Sequence, residues 1–303
     1  MTTGHVLEIA CDESGSDGEN LIGGNTDVFA HASVRLAIES AADHVQEIRN
    51  RIRSPAEQYK ANHLLRTKHR PVLVWLLGPA GPIHGSAHVH LTDKAFFAVG
   101  KVVNLLGGDP PMAVTLYREG PRALGPQQWQ AFLSAANNLM RTGSTRNRRD
   151  VTTPVESFFR LLDILRPAAP QLMDPLRQGR PRAEAFRTRL LDTPDLIPAL
   201  DPFIPAVART IAYWSENGNP VSIVHDRQNS LTDERIAWLK EGRLAGLRLV
   251  ESFSDPRVQL ADFLAGVARK IASDQLNDRA DPELSTLLRP YVDPSSIWLR
   301  WKP

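Results

Sequence analysis

The sequence predicts an α/β protein whose core is interrupted by a large helical insertion. Two short apolar runs each end on an acid: Val6-Leu7-Glu8-Ile9-Ala10-Cys11-Asp12 and Val221-Ser222-Ile223-Val224-His225-Asp226. Val221, Ile223 and Val224 suit a strand buried on both faces, and a terminal Asp puts a carboxylate at the carboxyl edge of a sheet. Between these runs lies a Pro- and Arg-rich stretch with helical periodicity.

In chain order, residues 5–12 read as the first strand. A turn-rich loop, Glu13-Ser14-Gly15-Ser16-Asp17-Gly18, continues to Gly23-Gly24-Asn25, and 28–36 alternates as a second strand, making a hairpin with a long loop. From 38 to 52, Ala41, Val45, Ile48 and Ile52 share one helical face. Ser54-Pro55-Ala56-Glu57 has the form of a helix start with a capping box. Residues 72–77 fit strand or helix, and 78–85 read as loop. An amphipathic helix is expected over 91–106 and a strand over 112–117. Helical segments follow at 127–141, 154–165, 183–191 and 203–217. The β pattern resumes at 221, then a helix capped by Ser230 over 232–241, a strand at 247–250, and a helix from Asp255-Pro256 to Ile271. This divides the chain into 1–119 and 218–303, two parts of one core, around a helical insertion at 120–217.

The 303 residues carry a net charge of only +2, so no strong overall field recruits a polyanion. Arg outnumbers Lys, which suits phosphate or carboxylate locally and equally fits a compositional bias. The single cysteine, Cys11, excludes a disulfide framework and a thiolate zinc cage. The N-terminal residues lack an apolar leader pattern and no run reaches membrane-spanning length, so a cytoplasmic protein is expected. Glycine-rich phosphate and dinucleotide loops and a Gly-x-Ser-x-Gly elbow are absent from the sequence.

The segment Arg257 to Arg269 is apolar almost all round, the pattern of a buried helix, yet carries Asp262 beside Val258, Ala265 and Gly266. A buried carboxylate needs a cation or good donors. An arginine or backbone amides would serve, as would a divalent metal shared with the strand-end acids.

Asp12-Glu13-Ser14-Gly15, Asp226-Arg227 and Gln259-Leu260-Ala261-Asp262 together resemble the domain of unknown function 3800 family, which is similar to the ribonuclease-H-like superfamily. The likeness covers roughly the first seventy residues and 218–272. It implies a ribonuclease-H-like mixed central β-sheet flanked by helices on both sides, and one or two Mg²⁺ or Mn²⁺ ions held by Asp12, Asp226 and Asp262, from the first strand, a later adjacent strand and the final helix. Glu57 and Lys60 stand where the family has a Glu-x-Lys feature, with the spacing one residue longer here. The implied activity is phosphodiester hydrolysis of nucleic acid: Asp12 bridges two ions, Asp226 and Asp262 lie on either side, Glu13, Glu57 or water completes a shell, and Lys60 offsets charge on the phosphorus.

Plainer roles stand beside these. Strand-end acids cap turns, Glu13 stabilises a turn, Glu57 closes a capping box, and Lys60 pairs with Glu57 in solvent. His84, His88 and His90 lie in a segment broken by Gly and Pro, which favours a loop or substrate contact over zinc. His225 faces away from the strand acid, since neighbours alternate. Arg146, Arg148 and Arg149 suit a solvated loop or phosphate contacts; Trp298 and Trp301 suit docking onto the body or base stacking. The rival functions are a non-catalytic module with a structural acid cluster and a metal-dependent hydrolase of a small phosphate or other ester.

Overall fold

The structure is a computed structural model and describes residues 6–53, 59–142, 153–192, 200–215, 218–240 and 243–299. In chain order its elements are β1 (Leu7–Ser14), β2 (Val28–Val34), α1 (Ile38–Ile52), α2 (Ala61–Leu64), α3 (Arg70–Leu77), β3 (Ala87–Asp93), α4 (Lys94–Leu106), α5 (Pro110–Leu124), α6 (Pro126–Met140), α7 (Pro154–Leu165), α8 (Pro170–Arg177), α9 (Arg180–Asp192), α10 (Phe203–Trp214), β4 (Val221–Asp226), α11 (Asp233–Lys240), β5 (Leu244–Val250), α12 (Pro256–Leu276) and α13 (Pro282–Leu288).

The chain divides into two compact units. The first comprises Met1–Ser16, Val28–Thr92 and Phe203–Pro303 and contains a five-stranded mixed sheet in the order β3-β2-β1-β4-β5. β1 runs antiparallel to β2 and parallel to β4, and β4 runs parallel to β5. Helices cover both faces. On one, Ala10, Ala30, Ala32, Val224, Val89 and Leu91 pack with α1, α3 and α12. On the other, Ile9, Cys11, Phe29, Val221 and Ile223 pack with Phe203, Val207 and Ile211 of α10 and with Leu239 of α11. The period-two side-chain alternation of strands divides each strand between these cores. Bridges from Val89 to Val292 and from Thr92 to Ile297 cover the outer flank of β3, and Trp298 is buried in the first core.

The second unit, Asp17–Asp27 with Asp93–Pro202, is helical. Four of its helices begin with Pro at the first turn, where a missing N–H costs nothing. Asp109 and Thr153 cap two of them. Trp129, Phe132 and Phe158 form its aromatic centre, with ring centroids 5.4 and 6.0 Å apart in succession. A Cβ on Gly120 would stand 2.4 Å from the Trp129 ring, so α5 and α6 touch there only because residue 120 has no side chain.

Several expectations are corrected. Residues 112–117 are helical, because Asp109 accepts the Met112 amide and Ala113, Leu116 and Gly120 then fall on one buried face. The helix expected over 91–106 begins at Lys94; before it runs β3, in which Ala87, Val89 and Leu91 alternate with buried His88, His90 and Thr92. The boundary expected at 120 falls at Asp93, and the one at 217 falls before Phe203, since α10 packs on the sheet. Thr232 rather than Ser230 supplies the side-chain acceptor at the start of α11, and α12 is followed by α13. Residues 72–77 are helical. The hairpin, α1, β4 and the start of α12 are where the sequence puts them. Among the described residues no helix is long and apolar enough to cross a membrane.

Candidate functional site

Asp12 is the sixth residue of β1, and Asp226 ends β4. Cys11 pairs with His225 in parallel register, so the next step along the two strands sets Asp12 beside Asp226 at the carboxyl edge. Alternation turns both toward the α12 face, the side of Ala10 and Val224. Asp262 lies in the second turn of α12, which crosses β1 and β2. Lys60, immediately before α2, places its ammonium 3.4 Å from Asp262. A Cβ on Gly266 would stand 2.3 Å from the Ala61 Cβ; that glycine lets α2, and Lys60 with it, approach α12. Arg269 donates to the Ser14 hydroxyl at 2.9 Å, tying α12 to the end of β1.

The acids disturb one another. Asp12 is 4% exposed. One of its oxygens accepts the Glu13 amide at 2.7 Å, and Oδ2 is buried without a hydrogen-bond partner. Burial, and then the carboxyls of Glu13, Asp262 and Asp226, hold it well above the usual carboxylate range. Glu13 is pushed up to about 7 by burial, against a hydrogen bond from Gln228. Its Oε2 is also without a hydrogen-bond partner. Burial raises Asp262 too, opposed by Lys60. The acids therefore share one electrostatic neighbourhood. Among the described residues, however, no three His, Cys, Asp or Glu side chains stand close enough together to hold a metal ion. The donor chemistry fits a hard divalent cation: all oxygen, excess negative charge, and two orphaned buried oxygens. Glu57 lies outside the described residues.

Behind the acids is a layer that sequence reasoning missed. His31, His88, His90 and His225 are all buried. The Asp226 carbonyl can only accept, so the His225 Nδ1 at 2.8 Å carries the proton. A neutral ring then offers a lone pair at Nε2, which accepts from His31 Nε2 at 3.3 Å, and His31 Nδ1 accepts from the Thr210 hydroxyl at 2.9 Å. Burial supports neutrality, lowering His225 to about 4 and His31 well below its ordinary value. His225 Nε2 is 3.8 Å from Glu13 Oε2. His88 instead bonds Asp293 at 2.7 Å and stacks on Tyr213. The expected turning of His225 away from Asp226 holds, because it shares the Cys11 side of the sheet. The period-two pattern of Ala87–Asp93 was the available signal for this layer.

Other candidates disperse. His84 is exposed and lies edge-on to Tyr291, apart from His88 and His90 in their strand. Arg177 and Arg180 are paired with acids of their own helical unit, and buried Arg187 donates to main-chain carbonyls. Arg146, Arg148, Arg149 and Trp301 lie outside the described residues. Comparison of the chain with protein-family models, curated proteins and solved structures finds no match to any of them.

Proposed function

We propose that this chain is a metal-dependent phosphodiester hydrolase of nucleic acid, built on a ribonuclease-H-like core with the helical unit inserted into it. The observation that carries the reading is Asp12: a buried carboxylate with one oxygen unpartnered and three further acids raising its proton affinity. Such a cluster is costly in isolation and favourable around a cation. Adjacency of β1 and β4, with α12 across β1, supports the likeness drawn from the sequence.

Asp12, Asp226 and Asp262, drawn closer together than they stand in this structure, would hold Mg²⁺ or Mn²⁺. The chemistry such an ion supplies is polarisation of a phosphoryl oxygen and a more acidic water. Glu13 is suited to hold a proton near neutrality. Lys60, half-exposed at the rim, is suited to balance phosphate charge. The test is cleavage of an end-labelled oligonucleotide with Mn²⁺. Activity in the wild type and its loss in both Asp12→Asn and Asp262→Asn support the reading; equal activity in either variant sinks it.

The Lys60–Asp262 ion pair favours a second reading. There the lysine already neutralises the cluster, and the protein is a non-catalytic binding module. Its signature is retained oligonucleotide binding that ignores metal, with no cleavage.

A further inference from the structure

Phe253 is 62% exposed, a large ring left in water. It sits in the single 3-10 turn Ser252–Ser254, which leaves the carboxyl end of β5. β1, β4 and β5 are parallel, so this turn emerges at the same sheet edge as Asp12 and Asp226. The turn is held firmly. The Ser254 amide and hydroxyl both donate to the Glu251 carbonyl, at 2.8 and 2.7 Å, and Gln259 of α12 reaches the Phe253 carbonyl at 3.4 Å. The preceding Ser252 hydroxyl is 3.5 Å from the Lys60 ammonium, itself 3.4 Å from Asp262. The ring-bearing position therefore directly follows the serine that touches the rim cation, about 3.8 Å away from Cα to Cα.

A half-exposed ammonium that touches Ser252, with an exposed aromatic ring on the very next residue, matches the two halves of a nucleotide: phosphate for the lysine, the flat face of a base for the ring. A duplex keeps its bases stacked inside, so only an unpaired base can lie on such a ring without an unstacking cost. We propose that Phe253 is a base-stacking subsite that makes single-stranded nucleic acid the substrate class of this site. The proposal rests on the nuclease reading for its place in a reaction, but the subsite itself is a matter of binding.

The experiment is fluorescence anisotropy in EDTA with the full chain. The probes are an end-labelled strand as DNA and as RNA, the same strand with abasic positions, and its duplex. The expected result is tightest binding of a base-bearing single strand, weakened about tenfold by Phe253→Ala and retained by Phe253→Trp. The abasic strand should bind the wild type about as weakly as the base-bearing strand binds Phe253→Ala. Equal affinity of wild type and Phe253→Ala, preference for duplex, or no binding of any probe overturns the subsite. Phe253-dependent binding without Mn²⁺-dependent cleavage upholds the subsite and removes the hydrolase reading; cleavage with no Phe253 dependence does the reverse.

Discussion

Asp12 and Glu13 are consecutive, yet they belong to different sides of the sheet. Asp12 turns toward α12, where its neighbours are acids and the nearest cation, Lys60, is on Asp262. Glu13 follows the Cys11 face, where Gln228 donates to it and a neutral histidine chain runs back to Thr210. The α12 side concentrates charge and leaves an oxygen unpartnered; the α10 side fixes hydrogen-bond direction in uncharged rings. One strand end thus offers a cation-seeking surface and a rigid backing to it.

The comparison breaks most sharply at Asp12. Asp12→Asn should lower Mn²⁺-dependent cleavage about a thousandfold, while raising the urea midpoint in metal-free buffer, because it relieves buried like charge. Mn²⁺ should then raise the melting temperature of the wild type and not of the variant. A variant less stable than wild type without metal would mean the acids are already satisfied.

On the opposite side the expected effect is structural. His31→Ala removes a buried ring and strands both His225 Nε2 and the Thr210 hydroxyl, so urea denaturation should show a loss of about 2–4 kcal/mol. A loss below that range would mean the histidine layer does not brace the strand.

A pH titration of stability separates the two ionisable types. Glu13 is raised in the folded state to about 7, so the folded chain holds a proton the unfolded chain has lost. Stability should fall as pH rises from about 4.5 to about 7, by about 3 kcal/mol at most. His225 is lowered to about 4, so the unfolded state takes the proton first, and this contribution falls as pH drops below about 6.5. The slopes oppose each other between about 4.5 and 6.5. Glu13→Gln should remove its share of the falling limb, leaving the histidines opposed by the raised carboxyls of Asp12 and Asp262; an unchanged profile would remove Glu13 as a source.

The smallest effect concerns the approach of α2. Gly266→Ala forces a methyl against Ala61 and should cost about 1–2 kcal/mol. If it shifts Lys60 away from Asp262, oligonucleotide affinity should also become less sensitive to Lys60→Ala, a coupling that a double-mutant cycle measures.

The three acids are legible because Asp12 and Asp226 each end an apolar run and Asp262 interrupts an apolar helix. The histidine layer is not, since His31, His88, His90 and His225 come from three strands and a polar residue at alternate strand positions reads as solvent-facing, whereas here that face is buried. The 112–117 segment misled in the opposite direction: Val114 and Thr115 favour β structure, but Asp109 and two prolines start a helix whose packing prevails. For Lys60 the sequence offers a charge-offsetting role implied by the resemblance and a solvated pairing with Glu57, and neither names Asp262. Its ion pair with Asp262 depends on a glycine contact between helices far apart in sequence, for which local patterns carry no signal.

Pairing β1 directly with β4 has a consequence for biosynthesis. Most of the chain must leave the ribosome before β4 exists, and until then the β1–β2 hairpin has an unfilled flank of main-chain donors and acceptors. A nascent chain stalled in the helical region would carry that flank bare, ready to capture a strand from a neighbouring polypeptide or to engage a chaperone.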